Sequence, residues 1–219
     1  MPESSTSSLT DPSPVAQKRT IGAVLFPEFE LLDIFGPLEM LGVLPDYFEI
    51  VTLAEHADPV ASTQGPQTVI DRIFADPGAL DVLLVPGGRG TRREAENPAM
   101  LDFLRSTYPK LEYLASICTG SGLLAAAGLL DGRRATSNKK AFAWPQTLSD
   151  KVSWIAEARW VEDGNIFTAS GVAAGIDMSL ALLATLLDDK IARRVAEYTE
   201  YNWHRDSSSD PFAKLAGLG

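Results

Sequence analysis

A chain of 219 residues, 45% apolar and 22% charged, is long enough to bury one sizeable core and has the composition of an ordinary globular protein. Nineteen basic against twenty-nine acidic residues leave a net charge of −10, which argues against nucleic acid or an anionic membrane surface as a partner. A single cysteine excludes an internal disulfide, and the sequence has neither a membrane-length apolar run nor a secretory start, so a reducing, cytoplasmic setting is expected.

The first residues are rich in Ser, Thr and Pro and too poor in apolar side chains to order themselves, which predicts a disordered tail over 1–18 and a single domain over 19–219. Ile21 to Phe26 is a short apolar strand ended by Pro27. Pro37 to Val43 reads as a first helix with proline in its first turn. Phe48 to Leu53 is a second strand, Gln67 to Ile70 a minor one, and Asp81 to Val85 a buried strand running into Pro86-Gly87-Gly88. Asn97 caps a helix that opens at Pro98 and runs to about Thr107. Leu111 to Ile117 is the strand before the cysteine, and Gly120 to Ala127 the helix after it.

Further on, Lys140 to Leu148 reads as a short helix, and Arg159 to Val161 and Ile166 to Thr168 as a hairpin turning through Glu162 to Asn165. Val172 to Leu187 is a long apolar helix, and Lys190 to Trp203 a last amphipathic one whose Tyr198, Tyr201 and Trp203 cover a core or dimer face. Trp144, Trp154 and Trp160 read as packing residues, and Asp210-Pro211-Phe212 as an anchor for the chain end. Strands alternating with helices predict a mostly parallel sheet with helices on both faces. Reactive groups of such sheets collect beyond the C-terminal strand ends. Phe26, Val85 and Ile117 are three of those ends, so Asp33, Gly87-Gly88 and Cys118 are expected to converge.

Cys118 lies on a strand-to-helix turn, where helix N–H groups favour a thiolate, and the Gly120 and Gly122 punctuation favours a working thiol over an inert buried one. Gly120-Ser121-Gly122 also matches a dinucleotide fingerprint, but no convincing acidic partner follows and the cysteine would crowd a phosphate, so no cofactor is expected. His56 and His204 are far apart in sequence and at no metal-ligand spacing, which predicts no bound metal and disfavours a Cys-His pair. Asp33 stands in an apolar setting, either as a helix cap or as a carboxyl whose raised pKa lets it hold a proton near neutrality. Gly87 and Gly88 are either a plain tight turn or a source of N–H groups for a developing negative charge.

Taken together, Phe26-Pro27-Glu28 to Gly36-Pro37, Val85-Pro86-Gly87-Gly88, Ile117-Cys118-Thr119-Gly120 and Gly171-Val172-Ala173-Ala174-Gly175-Ile176-Asp177 resemble the DJ-1/PfpI superfamily over most of the chain. Leu32-Asp33, Cys118-Thr119-Gly120 and Ala126-Ala127-Gly128-Leu129-Leu130 are most similar to its isocyanide (isonitrile) hydratase branch. The resemblance implies a flavodoxin-like sandwich related to class I glutamine amidotransferases, a nucleophile elbow, no cofactor and a homodimer acting on a small electrophile. It also implies Cys118 as nucleophile, Asp33 as acid/base and Thr119 as a site residue, with Gly87, Gly88, Gly120 and Val172 on the oxyanion and substrate side. One departure stands out: Asn138-Lys139 occupies the place of a His-Trp pair, which alters the pocket.

The expected reaction is hydration of an isocyanide to an N-substituted formamide through a thioimidate on Cys118. Glyoxalase-type aldehyde chemistry is the second reading, disfavoured by Asp33 in place of glutamate and by the missing histidine after Cys118. A non-enzymatic redox sensor is the third. A regulator would need a DNA-binding segment, for which the residues after Leu187 leave no room.

Overall fold

The computed structural model describes residues 18–218, so the tail expected over 1–18 lies almost wholly outside the described residues. Its centre is a seven-stranded sheet made of β1 (Arg19–Val24), β2 (Phe48–Ala54), β3 (Arg72–Ile73), β4 (Val82–Val85), β5 (Tyr113–Ile117), β6 (Trp160–Asp163) and β7 (Ile166–Ala169). The spatial order is β6-β7-β5-β4-β1-β2-β3, and every neighbouring pair is parallel except the β6–β7 hairpin. Val82, Leu83, Leu84 and Val85 are fully buried, which is why the central strands read as continuous apolar runs rather than alternating ones.

The helices are α1 (Leu31–Gly42), α2 (Thr91–Glu94), α3 (Pro98–Thr107), α4 (Gly120–Ala126), α5 (Ala143–Gln146), α6 (Ala174–Leu186), α7 (Asp189–Tyr198) and α8 (Pro211–Leu215). From β1 the chain moves outward to β2 through α1, whereas from β4 it moves the opposite way to β5 through α3. Right-handed crossovers running in opposite directions lie on opposite faces of the sheet. Accordingly α1, α6 and α7 pack together, while α2, α3 and α5 gather at α4. The result is a flavodoxin-like α/β sandwich whose strand order reverses between β1 and β4, the place where such sheets open a crevice.

Four local expectations change. Helix α1 begins at Leu31, not Pro37, because the Leu31 N–H is capped across the chain by Gln64 Oε1 at 3.1 Å; Pro37 is therefore inside the helix. The stretch from Lys140 yields a single turn, α5, which contains Pro145; Trp144 and Thr147 close i→i+3 bonds to Ala141 and Trp144. Gln67–Thr68 pairs with Val60–Ala61 outside the main sheet, and the edge strand β3 follows it instead. Helix α7 stops at Tyr198, because Glu200 turns left-handed (φ 51°) and the Tyr201 N–H closes on Ala196 O at 2.8 Å.

That early stop sends Tyr201 and Trp203 off the helix and onto buried Asp177. The Tyr201 hydroxyl and the His204 N–H donate to its Oδ1 at 3.1 and 2.8 Å, and the Trp203 indole donates to its carbonyl at 3.1 Å. The hairpin forms with a tighter turn than expected: Asp163 pairs with Ile166, so only Gly164 and Asn165 lie between the strands. Asp210 caps α8 through the Phe212 N–H at 2.9 Å and accepts a short hydrogen bond from Ser170, tying the chain end beside β7.

Candidate functional site

Cys118 is the residue after β5 and takes a left-handed conformation (φ 58°), which L side chains adopt only when the surroundings impose it. Four hydrogen bonds impose it here. The Cys118 N–H is shared between Ala169 O and Ser170 O at 3.1 and 2.8 Å, and the Cys118 carbonyl accepts from Ser121 Oγ at 3.2 Å and Ser137 Oγ at 3.0 Å. The sharp turn aims the thiol back over the sheet, where it is 6% exposed at the floor of a cleft of about 400 Å³.

Asp33 reaches the same point from the first turn of α1 and is fully buried. Its Oδ2 accepts the Gly87 N–H at 2.8 Å, while Oδ1 has no hydrogen-bond partner; the carboxyl is coupled to the Cys118 thiol. Burial raises its pKa well above the ordinary aspartate value, and the nearby charge of Glu30 adds to the rise against the opposing effect of the Gly87 N–H. The helix-cap alternative does not hold, because Glu30 occupies the N-cap of α1 and Asp33 lies in its first turn.

The surroundings of the thiol oppose the helix-stabilised thiolate that the turn position suggests. Burial pushes the thiol well above its ordinary range, and the charge of Asp33 pushes it further. The Thr119 N–H, the Asn138 amide and the Thr119 hydroxyl act in the opposite direction, and they lose. A seven-residue helix contributes too little field to reverse two desolvated neighbours of like charge. Burial and mutual repulsion thus both disfavour a charge on either member of the pair.

The glycine loop also differs from expectation. Neither N–H points at open space: that of Gly87 is committed to Asp33, and that of Gly88 donates to Thr119 Oγ1 at 3.2 Å. Thr119 Oγ1 in turn lies 3.2 Å from Thr91 Oγ1. The loop fixes the acid and Thr119 in place, and the donors nearest the sulfur are those of Thr119 and Asn138. Val172 also lines the cleft.

Gly120 and Gly122 have packing duties that account for the dinucleotide-like spacing. A Cβ on Gly120 would come 2.7 Å from Pro86 O, and one on Gly122 would collide with the Trp144 ring. Of the Asn138-Lys139 departure, only Asn138 faces the cleft; Lys139 is buried, with Nζ donating to Thr136 Oγ1 at 2.8 Å and to Ala158 O. Neither histidine lines the cleft, and among the described residues no group of three or more His, Cys, Asp or Glu side chains is placed to hold a metal ion. No helix among them is long and apolar enough to cross a membrane.

Sequence reasoning missed Arg89 and Arg92, which line the cleft from the loop after β4 and from α2. Their three-residue spacing was the available signal, but a four-residue helix leaves no apolar period to reveal it.

The sequence matches the DJ-1/PfpI family over residues 19–185. It is 39% identical over 181 residues to an isonitrile hydratase of Pseudomonas putida, covering 83% of this chain and 78% of that protein. It is 31% identical to the HTH-type transcriptional regulator CdhR of Pseudomonas aeruginosa over 80% of this chain, a match spanning about half (52%) of the regulator. A crystal structure of a ThiJ/PfpI family protein from Pseudomonas syringae superposes with a TM-score of 0.80 at 29% identity, covering 98% of this chain and 93% of that one.

Proposed function

Because the chain belongs to the DJ-1/PfpI family, we propose that it is a cysteine-dependent hydratase of isocyanides, with Cys118 as nucleophile and Asp33 as acid and base. The observation that carries this reading is the coupling of a fully buried, proton-holding carboxyl to the only thiol of the chain, at a strained elbow. The 39% identical isonitrile hydratase supports it.

The terminal carbon of an isocyanide accepts a soft nucleophile and then needs a proton. The Cys118 thiolate forms a C–S bond to that carbon while Asp33 delivers its proton to the same atom, giving a thioimidate and a carboxylate. Asp33 then takes a proton from water as the hydroxide adds to the thioimidate carbon, and passes that proton to nitrogen. On collapse the C–S bond breaks, the hydroxyl proton returns to Asp33, and the formamide leaves. One water is consumed and the pair returns to its starting protonation. Thr119 and Asn138 hold the sulfur while charge moves through it.

A sensor built on a low-pKa thiolate fits poorly, since burial and Asp33 both raise this thiol. Aldehyde chemistry assisted by an imidazole also fits poorly, because neither histidine lines the cleft. The test is formamide production from cyclohexyl isocyanide and from a carboxylate-bearing isocyanide by the wild-type protein and by Cys118→Ala, followed by chromatography. Turnover that vanishes in the variant is the expected result. Turnover surviving in Cys118→Ala, or none in wild-type protein whose thiol is confirmed reduced, would rule the assignment out.

A further inference from the structure

Arg89, in the loop after β4, and Arg92, in α2, both line the cleft that holds Cys118, and neither makes an ion pair among the described residues. The chain as a whole carries a net charge of −10. Eight other arginines each lie within 4.0 Å of a carboxylate. An excess of acidic side chains makes partners easy to find, so two unpaired guanidinium groups facing the same opening call for a ligand.

Arg92 is also held in place. Its guanidinium stacks 4.0 Å from the centre of the Trp144 ring, and Nη1 donates to Thr91 Oγ1 at 3.0 Å. Trp144 in turn lies against Gly122, where any side chain would displace the ring. A layered support therefore runs from α4 through Trp144 to Arg92, whose side chain lines the cleft. Arg92 is near enough to Cys118 for their charges to interact. One acid also borders the cleft, Glu30, but its Oε1 is engaged by Gln64 Nε2 at 2.6 Å and it is not ion-paired to either arginine. With Glu30 counted, the cleft mouth keeps a net positive charge.

We infer that the cleft selects electrophiles carrying a carboxylate, which Arg92 binds as the principal contact and Arg89 assists. A planar guanidinium offers paired N–H donors that match a carboxylate. The inference rests on the reading of Cys118 as the nucleophile. Its volume, about 400 Å³, fits a small molecule whose reactive carbon sits at Cys118 and whose anion sits at Arg92.

The test compares two alkylating agents that differ only in that charge, iodoacetate and iodoacetamide, by the rate at which each modifies Cys118, measured by intact mass. The ratio of the two rates cancels any change in thiol reactivity and reports the anion contact alone. The expected result is that Arg92→Gln lowers the iodoacetate-to-iodoacetamide ratio roughly five-fold, that Arg89→Gln lowers it less, and that Arg92→Lys retains most of it. Arg134→Gln, an exposed arginine outside the cleft, should leave it unchanged. Raising the salt to 1 M should shrink the wild-type ratio as well. A ratio that is the same in wild type and Arg92→Gln while both reagents label Cys118 overturns the anion site and leaves the nucleophile standing. Failure of both reagents to label the reduced thiol overturns the two together.

Discussion

Two buried aspartates, Asp33 and Asp177, are equally sealed from solvent, yet their surroundings differ in kind. Asp177 on α6 is satisfied from every side: Arg159 donates to Oδ2 through Nε at 2.7 Å and again through Nη2, and Oδ1 takes Tyr201 and the His204 N–H. Asp33 has one backbone donor, no cation, an unpartnered oxygen and a thiol for a neighbour. A buried carboxylate given a cation and three kinds of donor is a fixed charge that joins elements. One denied them keeps its proton within reach of the reacting group, at a cost in stability. The same side chain is thus held in two opposite ways on two helices, α1 and α6, that pack against each other.

Exchanging each carboxyl for an amide should separate these roles. Asp33→Asn should reduce turnover by about 10²–10⁴-fold in steady-state assays, since the group proposed to deliver and recover the proton is gone. Asp177→Asn should instead lower unfolding stability by about 3–5 kcal/mol, because Arg159 is left buried beside a neutral group. Urea denaturation would show the loss, and turnover per folded molecule should stay close to wild type. A catalytic collapse in Asp177→Asn without loss of stability would erase the contrast.

Stability should move the other way in Asp33→Asn. A carboxyl whose folded pKa is raised binds more protons in the folded than in the unfolded state between the two pKa values. Its contribution is therefore intact below the unfolded pKa and is lost as pH rises through the folded one. At pH 7 the charged form is disfavoured, so removing it should stabilise the fold by about 1 kcal/mol.

The thiol supplies a finer test. Asp33 is the second cause of its raised pKa, so Asp33→Asn should shift the pH midpoint for iodoacetamide labelling of Cys118 downward, leaving the burial contribution in place. An unmoved midpoint would mean the two groups are not coupled. The smallest effect is expected from Tyr201→Phe, which removes one of several donors to Asp177 and should cost about 1 kcal/mol.

Much of the reactive crest was legible because its parts follow strands whose apolar runs are unmistakable: β1, β4 and β5 sit side by side, and Asp33, Gly87-Gly88 and Cys118 come after each in turn. What escaped reading depends on contacts distant in sequence. The start of α1 is set by Gln64, thirty-three residues from the Leu31 N–H it caps. The end of α7 is set by a left-handed Glu200, a conformation its composition does not announce. The thiol's environment was misjudged because a turn position suggests a helix dipole, whereas burial beside Asp33 is visible only once the two loops are brought together. Asn138 was noticed as a departure, but its place beside the sulfur rather than that of Lys139 required the fold.

The segment bearing Asn138 follows a small ladder of its own, Arg134–Ala135 paired with Ser153–Trp154, that lies outside the main sheet. The acid and the thiol, by contrast, are inherited with the central strands and cannot drift apart without shifting the sheet. The segment bearing Asn138 is thus held by a ladder separate from the strands that place the acid and the thiol. A change in that ladder would move Asn138 while leaving the strands before Asp33 and Cys118 in register.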